Sequence, residues 1–211
     1  KLLCLDEPAA GVNRTLLRSL LDHIHYLQEE EGKTIVITGG STGIGRATSI
    51  RCAEEGAAVV IADINKTAAQ ETCDSIKANG GNIMFVETDV TNAAAVSSMI
   101  EATVDTHGAL HGAFNNAGIE GAFTNILKMT EDEFDLTVNV DLKGVWLCIK
   151  REIEQLVNQG EGGSIVSTAS VAGLVGARGG SAYCAAKPGV VGLTKSVALE
   201  YARKKIRVNA V

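Results

Sequence analysis

Nothing in this chain supplies the positive charge, the aromatic surface or the long apolar run on which whole classes of protein depend. No long run of basic residues appears, aromatics make up 4 % of the chain and the formal net charge is -6, so phosphate neutralisation and base stacking both lack their usual residues. Nucleic acid is not an expected partner. No apolar stretch approaches the ~20 residues that span a bilayer, and no basic region, apolar run and cleavage site follow one another at the N-terminus. Membrane attachment is not expected either. The five cysteines (Cys4, Cys52, Cys73, Cys148 and Cys184) form no C-x-x-C pair to complete a ligand set with His107 and His111, which stand four apart, so no metal site is expected. An odd, scattered set of thiols suits a reducing, cytoplasmic setting. Internal repeats and low-complexity linkers are missing as well. The chain opens on Lys1 rather than methionine, as a fragment or a processed protein does.

What is present is alternation. With 211 residues and 45 % hydrophobic content the chain can bury the core of one good-sized domain. Short apolar or β-branched runs occur at LLCL (2–5), TIVIT (34–38), AVVIAD (58–63), IMFVET (83–88), ALHGAF (109–114), SIVST (164–168) and RVNAV (207–211), with helical spacing between them. Strands alternating with helices imply an α/β fold: a parallel sheet covered on both faces, three layers deep. Thr130 and Glu133 have capping-box spacing, and Phe134, Val138, Val145, Ile149, Ile153 and Leu156 form one stripe, which predicts an unbroken helix over 130–158. Residues 1–31 read as an extra strand and helix packed on the same domain. Val12, Leu16, Leu17, Leu20, Leu21, Ile24 and Leu27 share one helix face there, with Gly32 as its cap.

Two stretches point towards nucleotides. "LLCLDEPAAGVN", a helix and "GKTIVI" together resemble the ATP-binding cassette ATPases over residues 1–37, from the Walker B strand to the strand before the switch histidine. That resemblance implies Asp6 as a magnesium ligand and Glu7 as the base for water. Hydrolysing ATP also needs a lysine-bearing G-x-x-x-x-G-K-[ST] loop, which the chain lacks, along with the family's signature segment and switch histidine. Asp6 and Glu7 then have nothing to act on, and a polar turn at a helix start is the plainer reading.

The second stretch is Thr38-Gly39-Gly40-Ser41-Thr42-Gly43-Ile44-Gly45. Glycines let a backbone turn tightly and approach a pyrophosphate, while the helix beyond them aims free N–H groups and its positive end at the anion. Asp63 ends the next strand 18 residues after Gly45, near the spacing at which an acidic residue accepts hydrogen bonds from the adenosine ribose. A carboxylate there repels a 2′-phosphate, and Thr42, Ile64 and Asn65 supply no compensating cation. NAD is therefore expected over NADP.

From Gly32 to Val211 the chain resembles the short-chain dehydrogenase/reductase family, whose T-G-x-x-x-G-x-G loop the glycine stretch matches. The resemblance implies a Rossmann-like doubly wound sheet, with cofactor contacts from Gly39, Ser41, Thr42, Gly43, Ile44 and Gly45 and from Asp63 and Ile64. It further implies Asp89 and Val90 bracketing the adenine, and Asn116, Ala117 and Gly118 of the N-N-A-G turn leaving room for the adenosine side. Read without the family, each of these is only a polar or glycine turn.

Tyr183 and Lys187 stand four apart, on one helix face. A tyrosine pKa of about 10 makes a poor base near neutrality, but an ammonium at about 4 Å favours the phenolate by roughly 4 kcal/mol. The pattern alone is common. In the family's order, with Ser170 placed 13 residues before Tyr183, the resemblance implies that Tyr183 moves the substrate proton and that Ser170 orients the substrate oxygen. Lys187 would lower the tyrosine pKa and hold the nicotinamide ribose, and Asn139 would hold a water on the proton path. The implied activity is an NAD-dependent oxidoreductase acting on a small secondary alcohol or ketone. Family members pair their long helices, here about 130–158 and 181–203, so a homo-oligomer is expected.

Three features depart from the family. Pro188 follows Lys187 directly and, if the helix is already under way there, removes a helical hydrogen bond to Cys184. The family's usual continuation, a loop over the nicotinamide, a substrate lid and a last strand, does not come after "KKIRVNAV", which predicts weak or absent turnover. The strand at 2–5 is expected at the sheet edge beside 207–211, in a chain that looks like a chimera of two families. A non-catalytic dinucleotide-binding scaffold is the competing reading, and an ATPase fragment the third.

Overall fold

The computed structural model describes residues 32–211. The proposed N-terminal strand, its helix, Asp6 and Glu7 lie outside the described residues. Within them, six parallel strands form one sheet in the order β3-β2-β1-β4-β5-β6: β1 Thr34–Thr38, β2 Ala58–Asp63, β3 Ile83–Glu87, β4 Gly112–Asn115, β5 Gly163–Ser167 and β6 Ile206–Ala210. Helices α1 Gly43–Glu54, α2 Lys66–Ala78 and α3 Ala93–His107 make the first crossovers. Helix α4 Glu131–Val138, a π turn Asn139–Gly144 and α5 Val145–Gln159 come after β4, and α6 Ser181–Tyr201 precedes β6.

The sheet is apolar on both faces because helices cover both. The two-residue strand period sends Ile35, Ile37, Val59 and Ile61 into one core with Ile76 and Phe114. Val36 and Val60 enter the other, with Met99, Leu110, Ile149 and Leu156. Each such side chain contributes about 1.5–3 kcal/mol on burial. Strand β4 is shorter at its start than the apolar run suggests. Leu110 leaves the ladder because the Gln159 side chain takes both its backbone groups, accepting from its N–H at 2.9 Å and donating to its carbonyl at 2.7 Å.

The unbroken helix over 130–158 is corrected. Its start is as expected, with the Thr130 hydroxyl accepting from Glu133 N and the Glu133 carboxylate from Thr130 N, but the π turn interrupts it at Asn139. A π turn takes in an extra residue and rotates the helix beyond it. Phe134 therefore leaves the stripe and is 39 % exposed, while Val145, Ile149, Ile153 and Leu156 are buried. On the buried side of α5 sits a carboxylate, Glu152, whose Oε2 accepts from Asn115 Nδ2 at 3.0 Å. Among the described residues its Oε1 and Asn115 Oδ1 have no hydrogen-bond partner, and burial pushes its pKa from 4.5 up to about 8. No helix among the described residues is long and apolar enough to cross a membrane.

Candidate active site

A parallel sheet sends the loop after each strand to the same edge. Thus Gly39–Gly45, Asp63–Ile64, Asp89–Val90 and Asn116–Gly118 come after β1, β2, β3 and β4 along one rim. Strand order reverses between β1 and β4, so the segments after these two strands part and leave a crevice.

Thr42 is the N-cap of α1, yet its side chain makes no capping bond and the first turn holds no acidic residue. Arg46 N reaches Thr42 O at 3.0 Å, which leaves the amides of Gly43, Ile44 and Gly45 without a partner inside the helix, at the positive end of its dipole. Gly43 takes φ +52° with open space around it. At Gly45 an added Cβ would run into the Gly39 carbonyl and lie 2.8 Å from Asn116 Nδ2. This open, amide-lined cradle, closed to any side chain at Gly45, fits a diphosphate. Gly45→Ala is expected to destabilise the protein by about 1–3 kcal/mol through overpacking of backbone that cannot yield, read as a fall in Tm. An unchanged Tm would contradict the packing.

Asp63 is fixed beside this loop. Its Oδ2 accepts from the Ser41 amide at 3.1 Å and hydroxyl at 2.5 Å, and its Oδ1 from Asn65 N at 3.0 Å. Ile64 next to it is 71 % exposed. Asp89, exposed, closes a turn onto Thr91 N at 2.9 Å and Thr91 Oγ1 at 2.7 Å, while Val90 is buried. Asn116 Nδ2 donates to Gly39 O and Asn116 Oδ1 accepts from Thr168, both at 3.3 Å. Thr38, which sequence reasoning does not single out beyond its place in the motif, orders this turn: its hydroxyl accepts from the amides of Asn116 and Ala117 at 3.0 and 3.1 Å.

Across the crevice, Ser170 stands past the end of β5 at the head of a short 3-10 turn, its Oγ accepting from Ala172 N at 3.1 Å. Tyr183 lies in the first turn of α6, near enough to Ser170 for that side chain to pull its pKa down, with its ring 6.4 Å from that of Phe123. Lys187, one turn on and buried, has Nζ 5.3 Å from the Tyr183 ring centre and donates to Thr168 O at 3.2 Å. The helix runs on through Pro188 to Tyr201. The structure thus brings Ser170, Tyr183 and Lys187 together.

Asn139 opens the π turn, and the side chain that meets Lys187 directly is that of Asp141, fully buried, whose Oδ2 is 3.5 Å from Nζ and whose Oδ1 accepts from Ile119 N at 2.8 Å. At that separation the contact is an ion pair rather than a short hydrogen bond, and among the described residues Oδ2 has no hydrogen-bond partner. One expectation differs, and the difference is electrostatic. Burial pushes the Tyr183 pKa up, the Ser170 side chain opposes this, and the charges of Asp141, Glu120 and Cys184 add to the rise. The expected lowering by Lys187 is not among the causes that act on Tyr183. Burial likewise holds Lys187 below the usual lysine range, against the pull of Asp141. Among the described residues no three His, Cys, Asp or Glu side chains gather as a metal site.

Set beside solved structures, the sheet is that of Rossmann-type oxidoreductases. The crystal structure of levodione reductase matches with a TM-score of 0.81 at 39 % identity, over 84 % of this chain and 69 % of that one. NAD+-bound xylitol dehydrogenase matches with a TM-score of 0.82 at 34 % identity, over 85 % and 69 %. Residues 33–211 match the short chain dehydrogenase family, and the chain belongs to it. In sequence it is 42 % identical over 179 residues to cyclohexanol dehydrogenase of Acinetobacter sp. (strain SE19), over 85 % of this chain and 71 % of that one. The likeness of residues 1–37 to ATP-binding cassette ATPases is not carried by these matches, and β1 belongs to the dehydrogenase match.

Proposed function

We propose that the protein interconverts a small secondary alcohol and the corresponding ketone with NAD as cofactor. The observation that carries this reading is the meeting of Tyr183, Ser170 and Lys187 across the crevice from an amide-lined glycine loop. NAD supplies the nicotinamide that takes or gives the hydride. Ser170 holds the substrate oxygen, and Tyr183 Oη takes its proton in oxidation or gives one in reduction. Lys187, anchored on Thr168 O, holds the nicotinamide ribose.

Gly39, Ser41, Thr42, Gly43, Ile44 and Gly45 seat the diphosphate, Asp63 and Ile64 flank the adenosine ribose, and Asp89, Val90, Asn116, Ala117 and Gly118 line the adenine side. The preference for NAD rests on Asp63, whose carboxylate opposes a 2′-phosphate with no cation at Thr42, Ile64 or Asn65. Cyclohexanol, the alcohol in a relative's name, heads the substrate panel, since residues 171–180 and Phe123 offer a small, largely apolar wall. Association through α4, α5 and α6 belongs to the same reading, Leu136, Trp146 and Leu199 being exposed. Size-exclusion chromatography tests it.

A thermal-shift titration with NAD, NADP and ATP, then an assay for NADH with secondary alcohols, tests the whole. Stabilisation by NAD ahead of NADP is expected, and stabilisation by ATP alone would overturn the reading. Asp63→Ala should weaken NAD binding by roughly 10–100-fold, the loss of charge-assisted hydrogen bonds worth about 1.5–3 kcal/mol, and narrow the gap to NADP. The second reading, dinucleotide binding without turnover, is favoured by one observation: the Lys187 ammonium is paired with Asp141. It predicts stabilisation by NAD and no NADH from any alcohol.

A further inference from the structure

The proposed chemistry turns on how much of one positive charge reaches a phenol, and the structure sets a carboxylate beside that charge. The π turn brings Asp141 inward, where its side chain is 0 % exposed and that of Lys187 is 4 % exposed. The pair is held from several sides. Ile119 N fixes Asp141 Oδ1 and Thr168 O fixes Lys187 Nζ. Gly118 leaves the space, since a Cβ there would stand 3.2 Å from Asp141 Oδ1 and 3.5 Å from Lys187 Nζ.

We infer that Asp141 is a positioning residue: by pairing with the Lys187 ammonium it draws that charge off the Tyr183 phenol and so decides the pH at which Tyr183 exchanges its proton. The balance can be drawn from every element that faces the ring. Helix α6 contributes Lys187 and Cys184, the 3-10 turn contributes Ser170, the π turn contributes Asp141, and the segment after β4 contributes Glu120. Among the described residues named here, one cation stands against two carboxylates. The nearer of the two turns the lysine charge into a dipole, whose field falls off faster with distance than that of a lone ion.

An asparagine at this position would keep an oxygen for Ile119 N and remove the charge. A carboxylate acting over about 10 Å at an effective dielectric of about 20 moves a titration by roughly one pH unit, so Asp141→Asn is expected to shift Tyr183 downward by about that much. The direction agrees with the upward pull that Asp141 exerts on Tyr183. Asp141 is itself held above the usual carboxylate range by burial, against Lys187 and Ile119 N.

The inference rests on Tyr183 being the proton-transfer group, but its test needs neither cofactor nor substrate. Tyrosinate absorbance is tracked against pH in the cofactor-free protein and in Asp141→Asn, each as a difference from the matching Tyr183→Phe background. The pH profile of NAD-linked alcohol oxidation is recorded alongside, with circular dichroism as the check on folding. A titration and a rate profile that both move to lower pH in Asp141→Asn support the proposal. A folded Asp141→Asn whose Tyr183 titrates at the wild-type pH overturns it, even if the enzyme is active.

A shifted titration with no turnover in either protein leaves this inference standing and counts against the proposed activity instead. Asp141→Ser, smaller and still able to accept from Ile119 N, repeats the measurement if the asparagine variant does not fold. Failure of both to fold would make Asp141 a structural residue and overturn the proposal.

Discussion

Replacing Tyr183 by phenylalanine is expected to lower kcat/KM for alcohol oxidation by about 10²–10⁴-fold, the usual contribution of a positioned acid or base, while NAD still raises Tm as in the parent. Only the hydroxyl is lost. The ring keeps its place 6.4 Å from Phe123, and Lys187 keeps Thr168 and Asp141. The upward pull on the Tyr183 pKa also gives the reaction a direction in pH. A phenol that holds its proton at neutrality is ready to donate, so ketone reduction should be supported there and decline as pH rises through the tyrosine titration. Alcohol oxidation, which needs the phenolate, should rise over the same range. A Tyr183→Phe variant with undiminished turnover, or an oxidation rate that falls with pH there, would remove Tyr183 from the mechanism.

A second large effect is expected away from the crevice. Glu152 is wholly buried, and its pKa in the folded protein is about 8 against an ordinary 4.5. Between those two values the unfolded chain has released a proton that the folded chain retains. Stability must therefore fall as pH rises through this window, by about 1.4 kcal/mol per pH unit, and level off above it. A neutral carboxyl also suits its surroundings, since protonation turns one of two acceptors without a hydrogen-bond partner among the described residues, Glu152 Oε1 and Asn115 Oδ1, into a donor. Glu152→Gln keeps the shape, supplies a donor permanently and cannot ionise. It should be more stable than the parent by roughly 3 kcal/mol at pH 7, with Tm higher by about 5–10 °C. Denaturant unfolding at several pH values decides the matter, and a variant that keeps the parent's slope between pH 5 and 8 would show that Glu152 is not its source.

The parallel sheet can be read from residues alone because its strands are short, β-branched and bounded by turns. TIVIT and AVVIAD coincide with β1 and β2, since strands covered on both faces need apolar residues throughout. The capping box at Thr130 is equally legible, being local chemistry over four residues. Asp141 is not, because a 3.6-residue period carried through Asn139 assumes a regular helix, and only the π turn shows which polar side chain is brought to Lys187. Glu152 carries a signal of its own: it stands four residues from both Cys148 and Leu156, on the buried face. The burial that raises Tyr183 depends on segments distant in sequence, around Glu120, Phe123 and Ser170, and spacing within one helix cannot reveal it. Thr38 is visible as the first residue of a motif, but its two amide partners emerge only once β1 and β4 lie side by side.

The stretch from Asn139 to Gly144 also limits how this protein can vary in length. Surface loops usually absorb insertions and deletions, but here each residue sets the phase between α4, which packs on α6, and α5, which packs on the sheet. Adding or removing one would swing everything downstream by about 100°, turning Glu152 and Leu156 off the core together. A segment that looks like an irregularity thus works as a vernier, and its residue count is as constrained as the identity of any side chain it carries.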